Sequence, residues 1–270
     1  MDGILIINKP SGMTSHDVIN KLRKKYHQKK FGHTGTLDPE ASGVLVVLCG
    51  KACKVLQFLS DTDKKYIAEI QLGYSTTTDD IFGEKLEEKE INTDFDFNQE
   101  LQKFVGKQHQ KVPMTSAKKI NGKKLMDYQR ENIEVEDVYA DIEIYEMKPL
   151  KELTFEISCS SGTYVRSVCR DFGENTNNKA CMKSLQRTQV GRFTIDLAQK
   201  IEEDPVLYPT IQVLDHFEQI ELEDCTPIYQ GKTIRLPAKS DVVCIVDKGE
   251  PIAIYEKLPN GYYHSKRGLW

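Results

Sequence analysis

The N-terminal residues pass from a short apolar run through a turn into an amphipathic segment. Residues 3–7 are mostly large and apolar, and the following Asn8-Lys9-Pro10-Ser11-Gly12 has the composition of a turn, so we predict a strand and a turn. Thr14 or Ser15 can cap a helix after this turn. One face of that helix carries apolar residues at helical spacing, which are Val18, Ile19, Leu22 and Tyr26.

Residues 44–73 contain a second pattern, of strand, helix and strand. Residues 44–48 form a short, continuous and β-branched run, which is typical of a buried strand. Helical spacing then predicts a helix whose apolar face consists of Ala52, Val55, Leu56 and Leu59. Alternation predicts a further strand that ends at Gly73 and has an inward face made of Tyr66, Ala68, Ile70 and Leu72.

The middle of the chain is dominated by charge. Residues 79–102 are too acidic and polar to contribute much core, and we predict a loop and a surface helix around Phe97, Leu101 and Val105. Residues 107–130 are basic and show no clear apolar period. Such a pattern is typical of a long loop that is functional or disordered.

A strand and a helix are predicted between residues 153 and 173. Apolar and polar residues alternate over 153–159, which indicates a strand. A helix is predicted to begin near Thr163 and to end at Gly173, because glycine commonly terminates helices. Its buried face would carry Val165, Cys169 and Phe172.

The C-terminal residues predict a small β domain. Residues 233–236, 242–246 and 252–255 are short apolar runs separated by Pro, Asp, Lys and Gly. We place the boundary near residue 220, within an acidic stretch. The predicted domains are therefore residues 1–219 and 220–270.

Composition excludes several classes of protein. The 270 residues can bury a sizeable core, and the seven cysteines are scattered without a CxxC pair, which argues against a disulfide framework or a zinc site and favours a reducing cytoplasm. The six histidines include no HxxxH or HExxH pair, so we expect no metal. No apolar run approaches the ~20 residues of a membrane span, and the N-terminus lacks a cationic leader, so we expect a protein that is not exported.

The formal net charge of −4 is unevenly distributed. Residues 20–33 contain six cations and no acids, and residues 103–130 contain eight cations against one acid. Acids collect in residues 79–102 and 201–224. Either basic segment alone could be an ordinary solvated surface, but two of them beside a candidate active loop favour a phosphate-binding track.

That candidate loop lies between the two N-terminal strands. Residues 31–45 read FGHTGTLDPEASGVL and present one carboxylate, Asp38, directly before Pro39. Taken alone, the run is ordinary turn chemistry. It does not match a phosphate-binding P-loop, because Gly50-Lys51 is followed by Ala52 and the required upstream glycine is replaced by Leu45.

The loop resembles the catalytic motif of the tRNA pseudouridine-55 synthases, and Asp38 occupies the position of the nucleophile. Further segments resemble motifs of the same family in the same order along the chain. They are the N-terminal run 8–15 (NKPSGMTS), Lys65-Tyr66 with Leu72-Gly73, residues 161–166 (SGTYVR), and Leu185-Gln186-Arg187-Thr188 with Gly191-Arg192-Phe193.

The resemblance implies that a uridine is isomerised to pseudouridine with Asp38 as nucleophile or as the base of a glycal-forming path. A desolvated carboxylate needs a cationic partner to stay ionised, and the family's partner arginine is Arg166 here. The uridine must leave its stack, and the family places Tyr66 against the flipped base. Taken alone, Tyr66 would be interpreted as a core aromatic residue and Arg166 as an ion-pair partner. Because both occur with the Asp38 loop in the order found in the family, we interpret them as residues of an active site.

The remaining site residues are also implied by the resemblance. His33 would fill the space that the flipped nucleotide vacates, although alone it is a polar loop residue. The expected substrate contacts are completed by Lys9, Tyr164 and Leu185. The expected contacts with the RNA backbone are Lys21, Lys118, Lys119 and Arg187.

The resemblance further implies an α+β fold with a mixed, mainly antiparallel sheet and a C-terminal PUA-like RNA-binding domain. It implies a monomer that acts on the T arm of tRNA with no cofactor, metal, membrane or protein partner. The chain departs from the family where Val112 and Thr115 replace a proline and a tyrosine, and where Gln186 replaces an arginine. Two alternatives stay open: a guide-RNA-dependent synthase, and an RNA-folding chaperone whose catalysis is secondary.

Overall fold

A computed structural model describes residues 1–59 and 62–270 of the chain, which divides into two compact units. The first unit comprises Met1–Pro39, Gly43–Asp61 and Phe193–Trp270. The second unit comprises Glu40–Ser42 and Thr62–Arg192.

Strands outnumber helices among the described residues. The strands are β1 (Gly3–Lys9), β2 (Phe31–His33), β3 (Ser42–Cys49), β4 (Lys64–Leu72), β5 (Tyr74–Thr76), β6 (Lys85–Glu88), β7 (Gly106–Lys111), β8 (Lys119–Ile120), β9 (Lys123–Lys124), β10 (Tyr139–Lys151), β11 (Thr154–Cys159), β12 (Ala180–Val190), β13 (Phe193–Thr194), β14 (Glu218–Glu221), β15 (Val242–Asp247), β16 (Glu250–Lys257) and β17 (Tyr263–Gly268). The α-helices are α1 (Ser15–Lys25), α2 (Phe97–Gln102), α3 (Leu125–Arg130), α4 (Val165–Asn175) and α5 (Thr226–Tyr229). The 3-10 helices are Gly50–Phe58, Ile195–Leu197 and Thr210–Val213.

In the first unit, β1 and β2 both pair antiparallel with β3. The predicted strands at 3–7 and 44–48 are confirmed. Thr14, and not Ser15, is the N-cap of α1: its hydroxyl accepts from the Asp17 N–H at 3.0 Å, while the Asp17 carboxylate accepts from the Thr14 N–H at 2.9 Å. This capping box fixes the start of α1. Val18 and Leu22 of the helix are buried in a cluster with residues of β1 and β3.

The helix predicted after β3 is a 3-10 helix, and one of its predicted core residues is wrong. Leu56 is 46 % exposed, whereas Ala52 and Val55 are fully buried. Residues three apart lie above one another in a 3-10 helix, so Ala52, Val55 and Phe58 share the inner face and Leu56 turns outward.

The C-terminal strands form a sheet in the order β14-β15-β16-β17. The predicted strands at 242–246 and 252–255 are confirmed as β15 and β16. The run at 233–236 is not a strand; it contributes an isolated bridge between Ile234 and Tyr263. The sheet begins at Glu218 and shares an apolar cluster with Val55 of the 3-10 helix. A PUA-like domain at 220–270 stays a prediction.

The second unit is built on an antiparallel sheet in the order β12-β4-β11-β10-β7. The inward face predicted for β4 is buried along its length, from Tyr66 to Leu72.

Among the strand pairs described within each unit, only β14 and β15 of the first unit pair in parallel. The predicted mixed and mainly antiparallel architecture is therefore confirmed.

Helix α4 packs on β12 and β4, and its predicted inner residues Val165, Cys169 and Phe172 are buried. Its predicted end at Gly173 is wrong, because the helix continues to Asn175 and is capped by Thr176. Gly173 is needed for close packing instead: a Cβ atom there would lie 2.6 Å from the Cβ and 2.9 Å from the backbone nitrogen of Ala180 in β12.

Replacing Gly173 with alanine is expected to lower the free energy of unfolding by about 1–2 kcal/mol. The added methyl group overpacks the contact with Ala180, and this cost exceeds the gain in helix propensity. Chemical denaturation checks the result. Glu174→Ala, an exposed position on the same helix, serves as control and should change stability by less than about 0.5 kcal/mol.

The two charged segments contain more regular structure than predicted. The surface helix is confirmed as α2 with Leu101 buried, although Val105 lies outside it. Residues 107–130 are not one long loop, since they contain β7, β8, β9 and α3. Across residues 1–59 and 62–270, no helix combines the length and apolar composition that a bilayer crossing requires.

Candidate active site

The Asp38 loop connects β2 to β3 in the first part of the chain. β2 ends at His33, which is half-buried, and the Thr34 N–H continues the pairing by donating to the Val46 carbonyl at 3.1 Å. Asp38 is half-buried and follows Leu37, which is fully packed in the core. Its side chain is therefore presented from a backbone that is anchored on its N-terminal side.

Ser15 forms that anchor. Its hydroxyl accepts a hydrogen bond from the Leu37 N–H at 2.9 Å and donates one to the Leu37 carbonyl at 3.2 Å, and the residue is 2 % exposed. Ser15 is the first residue of α1, whose start is held by the Thr14 cap. The helix and the residue next to Asp38 are thus locked to each other.

Lys9 and Gly12 hold the other side of Asp38. The Pro39 carbonyl accepts from the Gly12 N–H at 3.0 Å and from Lys9 Nζ at 2.9 Å. Lys9 Nζ also donates to the carbonyls of Pro10 at 2.9 Å and Met13 at 2.5 Å, and Lys9 is 0 % exposed. Lys9 therefore positions the loop, and its expected contact with a substrate stays a prediction.

Replacing Ser15 with alanine is expected to lower kcat about 10- to 100-fold while RNA affinity changes by less than about 2-fold. The buried Leu37 N–H and carbonyl lose their partner, which also costs about 1–3 kcal/mol of stability. Single-turnover kinetics and thermal unfolding measure both effects. Ser15→Thr keeps the hydroxyl and should restore most of the rate; equal rates for Ser15→Ala and the wild type would contradict this role.

In the second unit, Tyr66 lies in the middle of the sheet. It is directly opposite Arg187 of β12 on one side and Ile157 of β11 on the other. Tyr66 is almost buried, and Leu185, opposite Ala68, is half-buried. Cross-strand partners share one face of a sheet, so the side chains of Tyr66 and Arg187 are neighbours.

Arg187 is 1 % exposed, so its side chain is enclosed by the protein. Its expected contact with the RNA backbone stays a prediction. Its position beside Tyr66 makes it a part of the sheet's buried face. The sequence alone does not show whether the side chain of a charged motif residue points outward or inward.

Arg166 is buried at the start of α4 and contacts two loops of the second unit. Nη1 donates to the Thr78 carbonyl at 2.9 Å and to the Thr115 hydroxyl at 2.5 Å, and Nη2 donates to the Thr115 carbonyl at 3.1 Å. Nη1 also lies 3.7 Å from an Asp80 carboxylate oxygen. The helix start is fixed because the Gln110 side chain bonds both the N–H and the carbonyl of half-buried Tyr164.

Thr78 and Asp80 are residues that the sequence interpretation missed. Asp80 lies in the acidic segment 79–102, for which only a loop and a surface helix are predicted, and Thr78 lies directly before that segment. The adjacent Asp79 forms a 2.8 Å ion pair with Arg170, one helical turn after Arg166. Burial raises the pKa of the Asp79 carboxyl, while the Arg170 guanidinium opposes that shift. The run Thr78-Asp79-Asp80 is the sequence signal that could have marked this loop as more than a solvated segment.

The remaining predicted RNA contacts lie at the surface. Lys21 is exposed on α1 of the first unit. Lys118 and Lys119 are exposed at the β8 hairpin of the second unit. Among the described residues, no group of three or more His, Cys, Asp and Glu side chains is arranged to hold a metal ion.

Comparisons with known proteins agree with these motifs. Residues 23–165 match the family model of the TruB family pseudouridylate synthase (N terminal domain). The chain is 41 % identical to tRNA pseudouridine synthase B of Oceanobacillus iheyensis over 96 % of this chain and 94 % of that protein. It is 45 % identical to tRNA pseudouridine synthase B of Bacillus subtilis over 73 % of this chain and 67 % of that protein.

Solved structures show the same fold at lower identity. A chain in the crystal structure of a Cbf5-Nop10-Gar1 complex has a TM-score of 0.70 and 22 % identity, covering 100 % of this chain and 85 % of that one. A chain of an archaeal box H/ACA sRNP Nop10-Cbf5 complex has a TM-score of 0.68 and 20 % identity, covering 99 % and 86 %. With the family model and these relatives in agreement, the chain belongs to the TruB family of pseudouridylate synthases.

Proposed function

We propose that this protein isomerises a uridine of tRNA to pseudouridine, and that the uridine is position 55 in the T loop. Family membership and relatives named tRNA pseudouridine synthase B support the reaction and the substrate class. The observation that carries the proposal is the Asp38 loop. The backbone on both sides of Asp38 is held by hydrogen bonds at Leu37 and Pro39, which supports the preorganisation that a reacting group needs.

The reaction requires no co-reactant. The bond between N1 of uracil and C1′ of ribose breaks, the base rotates, and a bond forms between C5 and C1′. The C5 proton leaves to solvent and N1 gains a proton, so atoms and charge balance. Asp38 acts either as the nucleophile at the sugar or as the base that starts a glycal path; both need it ionised.

Residues of both units have further proposed roles. Flipping the base out of its stack costs a few kcal/mol. Stacking of the flipped base on the aromatic ring of Tyr66 would offset part of that cost. Arg166 is buried in a network that holds its guanidinium in one orientation, as expected for a residue that stabilises a reacting carboxylate. We propose that His33, Tyr164 and Leu185 line the nucleotide pocket and that Lys21, Lys118 and Lys119 contact RNA phosphates.

Release of tritium from C5 tests this function. The purified protein is incubated with an unmodified tRNA transcript labelled at C5 of every uridine. We expect one equivalent of tritium in water per tRNA, and none when uridine 55 is replaced by cytidine. No release from the intact transcript would overturn the function, and release unchanged by the replacement would overturn the assigned position.

The first alternative candidate is a guide-RNA-dependent synthase. It is favoured by the similarity of fold to chains that were solved in complexes with other proteins. At identities of 20–22 %, however, that similarity shows a shared fold and not a shared function. The same tritium assay separates the two, since a guide-dependent enzyme would be inactive as a purified chain on bare tRNA.

The second alternative is an RNA-folding chaperone, favoured by the basic segments. Complementation of a growth defect by Asp38→Asn to the same level as by wild type would favour this role in the cell.

A further inference from the structure

Gln110 is a polar residue at a position of β7 that faces the protein interior. Among Gly106–Lys111 it is the one buried residue, at 5 % exposure, and its backbone pairs with Ala140 of β10. Alternation along a strand predicts an apolar side chain at such a position. A buried amide costs free energy unless its polar atoms are hydrogen-bonded, so the partners of this side chain decide what it does.

Both polar atoms of the Gln110 side chain bond the backbone of Tyr164, at the start of α4. Oε1 accepts from the Tyr164 N–H at 2.9 Å, and Nε2 donates to the Tyr164 carbonyl at 3.1 Å. The same carbonyl accepts from the Val168 N–H at 3.3 Å, which is a hydrogen bond of the first helical turn. Gln110 therefore fixes both backbone polar groups of the residue from which α4 begins.

This contact takes the place of an ordinary helix cap. Ser, Thr, Asp and Asn are preferred at the N-cap because their side chains bond N–H groups of the first turn. The N-cap of α4 is Tyr164, and in the described part of the chain its side chain makes no capping hydrogen bond. The start of α4 is held from the neighbouring strand instead.

A second contact joins the same two elements. The Ser167 hydroxyl donates to the Lys111 carbonyl at 2.8 Å, and Ser167 is 0 % exposed. Arg166 lies between Tyr164 and Ser167 in the first turn of α4. Its backbone is therefore held on both sides by consecutive residues of β7, Gln110 and Lys111.

The side chain of Arg166 makes this support of its backbone matter for the reaction. Its guanidinium bonds Thr78 and Thr115, so the far end of the side chain has fixed contacts. If the start of α4 shifted, the Cα atom of Arg166 would move and the guanidinium could not keep all of these bonds. Misplacing a reacting or stabilising group by about 1 Å can lower a rate about 100-fold.

We propose that Gln110 is a positioning residue for the reaction, and that it acts through Arg166 by fixing the backbone at Tyr164. This inference rests on the proposed function. The two polar atoms of Gln110 are occupied by Tyr164, and its side chain is buried, so its loss should not remove a contact with RNA. Removing the amide should slow the chemical step and leave RNA affinity unchanged.

The test is a double-mutant cycle with Gln110→Met and Arg166→Lys. Methionine has nearly the same length and fills the same buried space, but it cannot bond the Tyr164 backbone. Single-turnover rates and dissociation constants are measured on one unmodified tRNA transcript for wild type, both single variants and the double variant. Gln108→Met is the matched control, because Gln108 lies on the same strand but donates to the Phe104 carbonyl, at 3.1 Å, and not to α4.

We expect Gln110→Met to lower the single-turnover rate about 10- to 100-fold, with a dissociation constant within about 2-fold of wild type. In the Arg166→Lys background the guanidinium is already lost, so Gln110→Met should slow the reaction by less than about 3-fold further. Gln108→Met should stay within about 2-fold of wild type in both quantities.

Rate losses that multiply in the double variant would overturn the proposal, because Gln110 would then act independently of Arg166. A rate for Gln110→Met within about 2-fold of wild type, or an equal loss with Gln108→Met, would overturn it as well. If Gln110→Met does not fold, Gln110→Glu takes its place in the cycle: at neutral pH its carboxylate still accepts from the Tyr164 N–H but cannot donate to the Tyr164 carbonyl. Failure of the proposed function looks different, since the wild type would then form no pseudouridine.

Discussion

Replacing Asp38 with asparagine is expected to abolish pseudouridine formation and to leave RNA binding intact. Asparagine has nearly the same size and can keep the backbone bonds that Ser15, Gly12 and Lys9 make to the neighbouring residues. It cannot ionise, so it serves neither as nucleophile nor as base. Single-turnover tritium release should fall at least about 10⁴-fold, while the dissociation constant for tRNA should change by less than about 3-fold.

Glu40→Gln is the matched control for this substitution. It removes one carboxylate two residues further along, at an exposed position. Any effect of one lost negative charge on RNA affinity should appear in both variants, but only Asp38→Asn should lose turnover. A rate within about 10-fold of wild type for Asp38→Asn would defeat the catalytic assignment.

Replacing Arg166 with lysine is expected to lower kcat by about 100-fold or more. The guanidinium bonds Thr78 and Thr115 at the same time and lies near Asp80. A single ammonium group cannot reproduce this planar fork, so the cation is no longer held in one orientation. Loss of the hydrogen bonds to buried groups should also lower the melting temperature by several degrees. Rates and thermal unfolding are measured on the same preparations.

Arg170→Lys distinguishes a catalytic effect from a general weakening of α4. Arg170 lies one turn after Arg166 and pairs with Asp79 and Asp171, so its substitution disturbs the same loop. We expect a similar fall in melting temperature with a rate within about 10-fold of wild type. If both variants lost activity in proportion to their stability, Arg166 would be a structural residue only.

Hydrophobic periodicity predicted the elements whose apolar face is continuous and one-sided. β4 alternates strictly and α1 carries its apolar stripe next to a clear cap, so both were assigned correctly. β12 was missed as a strand because it carries polar residues such as Lys183, Ser184 and Gln186 along a half-buried ladder. Gly173 was read as a helix stop because a close approach to Ala180 across the fold leaves no trace in local sequence.

The candidate site shows the same division between local and long-range information. Motif order predicts Asp38, Tyr66 and Arg166 as site residues, and each of these motifs is a short-range pattern in the sequence. Burial decides between roles for charged residues, and burial is set by distant parts of the chain. The side chains of Lys9 and Arg187 are enclosed by the protein, which no local pattern in the sequence indicates, and their roles at the substrate and the RNA stay predictions.

Thr78 and Asp80 illustrate the opposite error. Their acidic surroundings resemble an ordinary solvated segment, yet the fold brings them to the Arg166 guanidinium. The pairing of Asp80 with Met182 of β12 and the ion pair of Asp79 with Arg170 place this loop beside α4. No local period or composition could have predicted that contact.

The most direct test of the account is a position-resolved map of pseudouridine in one tRNA from cells that lack the gene and express either wild type or Asp38→Asn at equal levels. We expect full modification of the T-loop uridine with wild type and none with Asp38→Asn. Modification at that uridine restored by Asp38→Asn would contradict it.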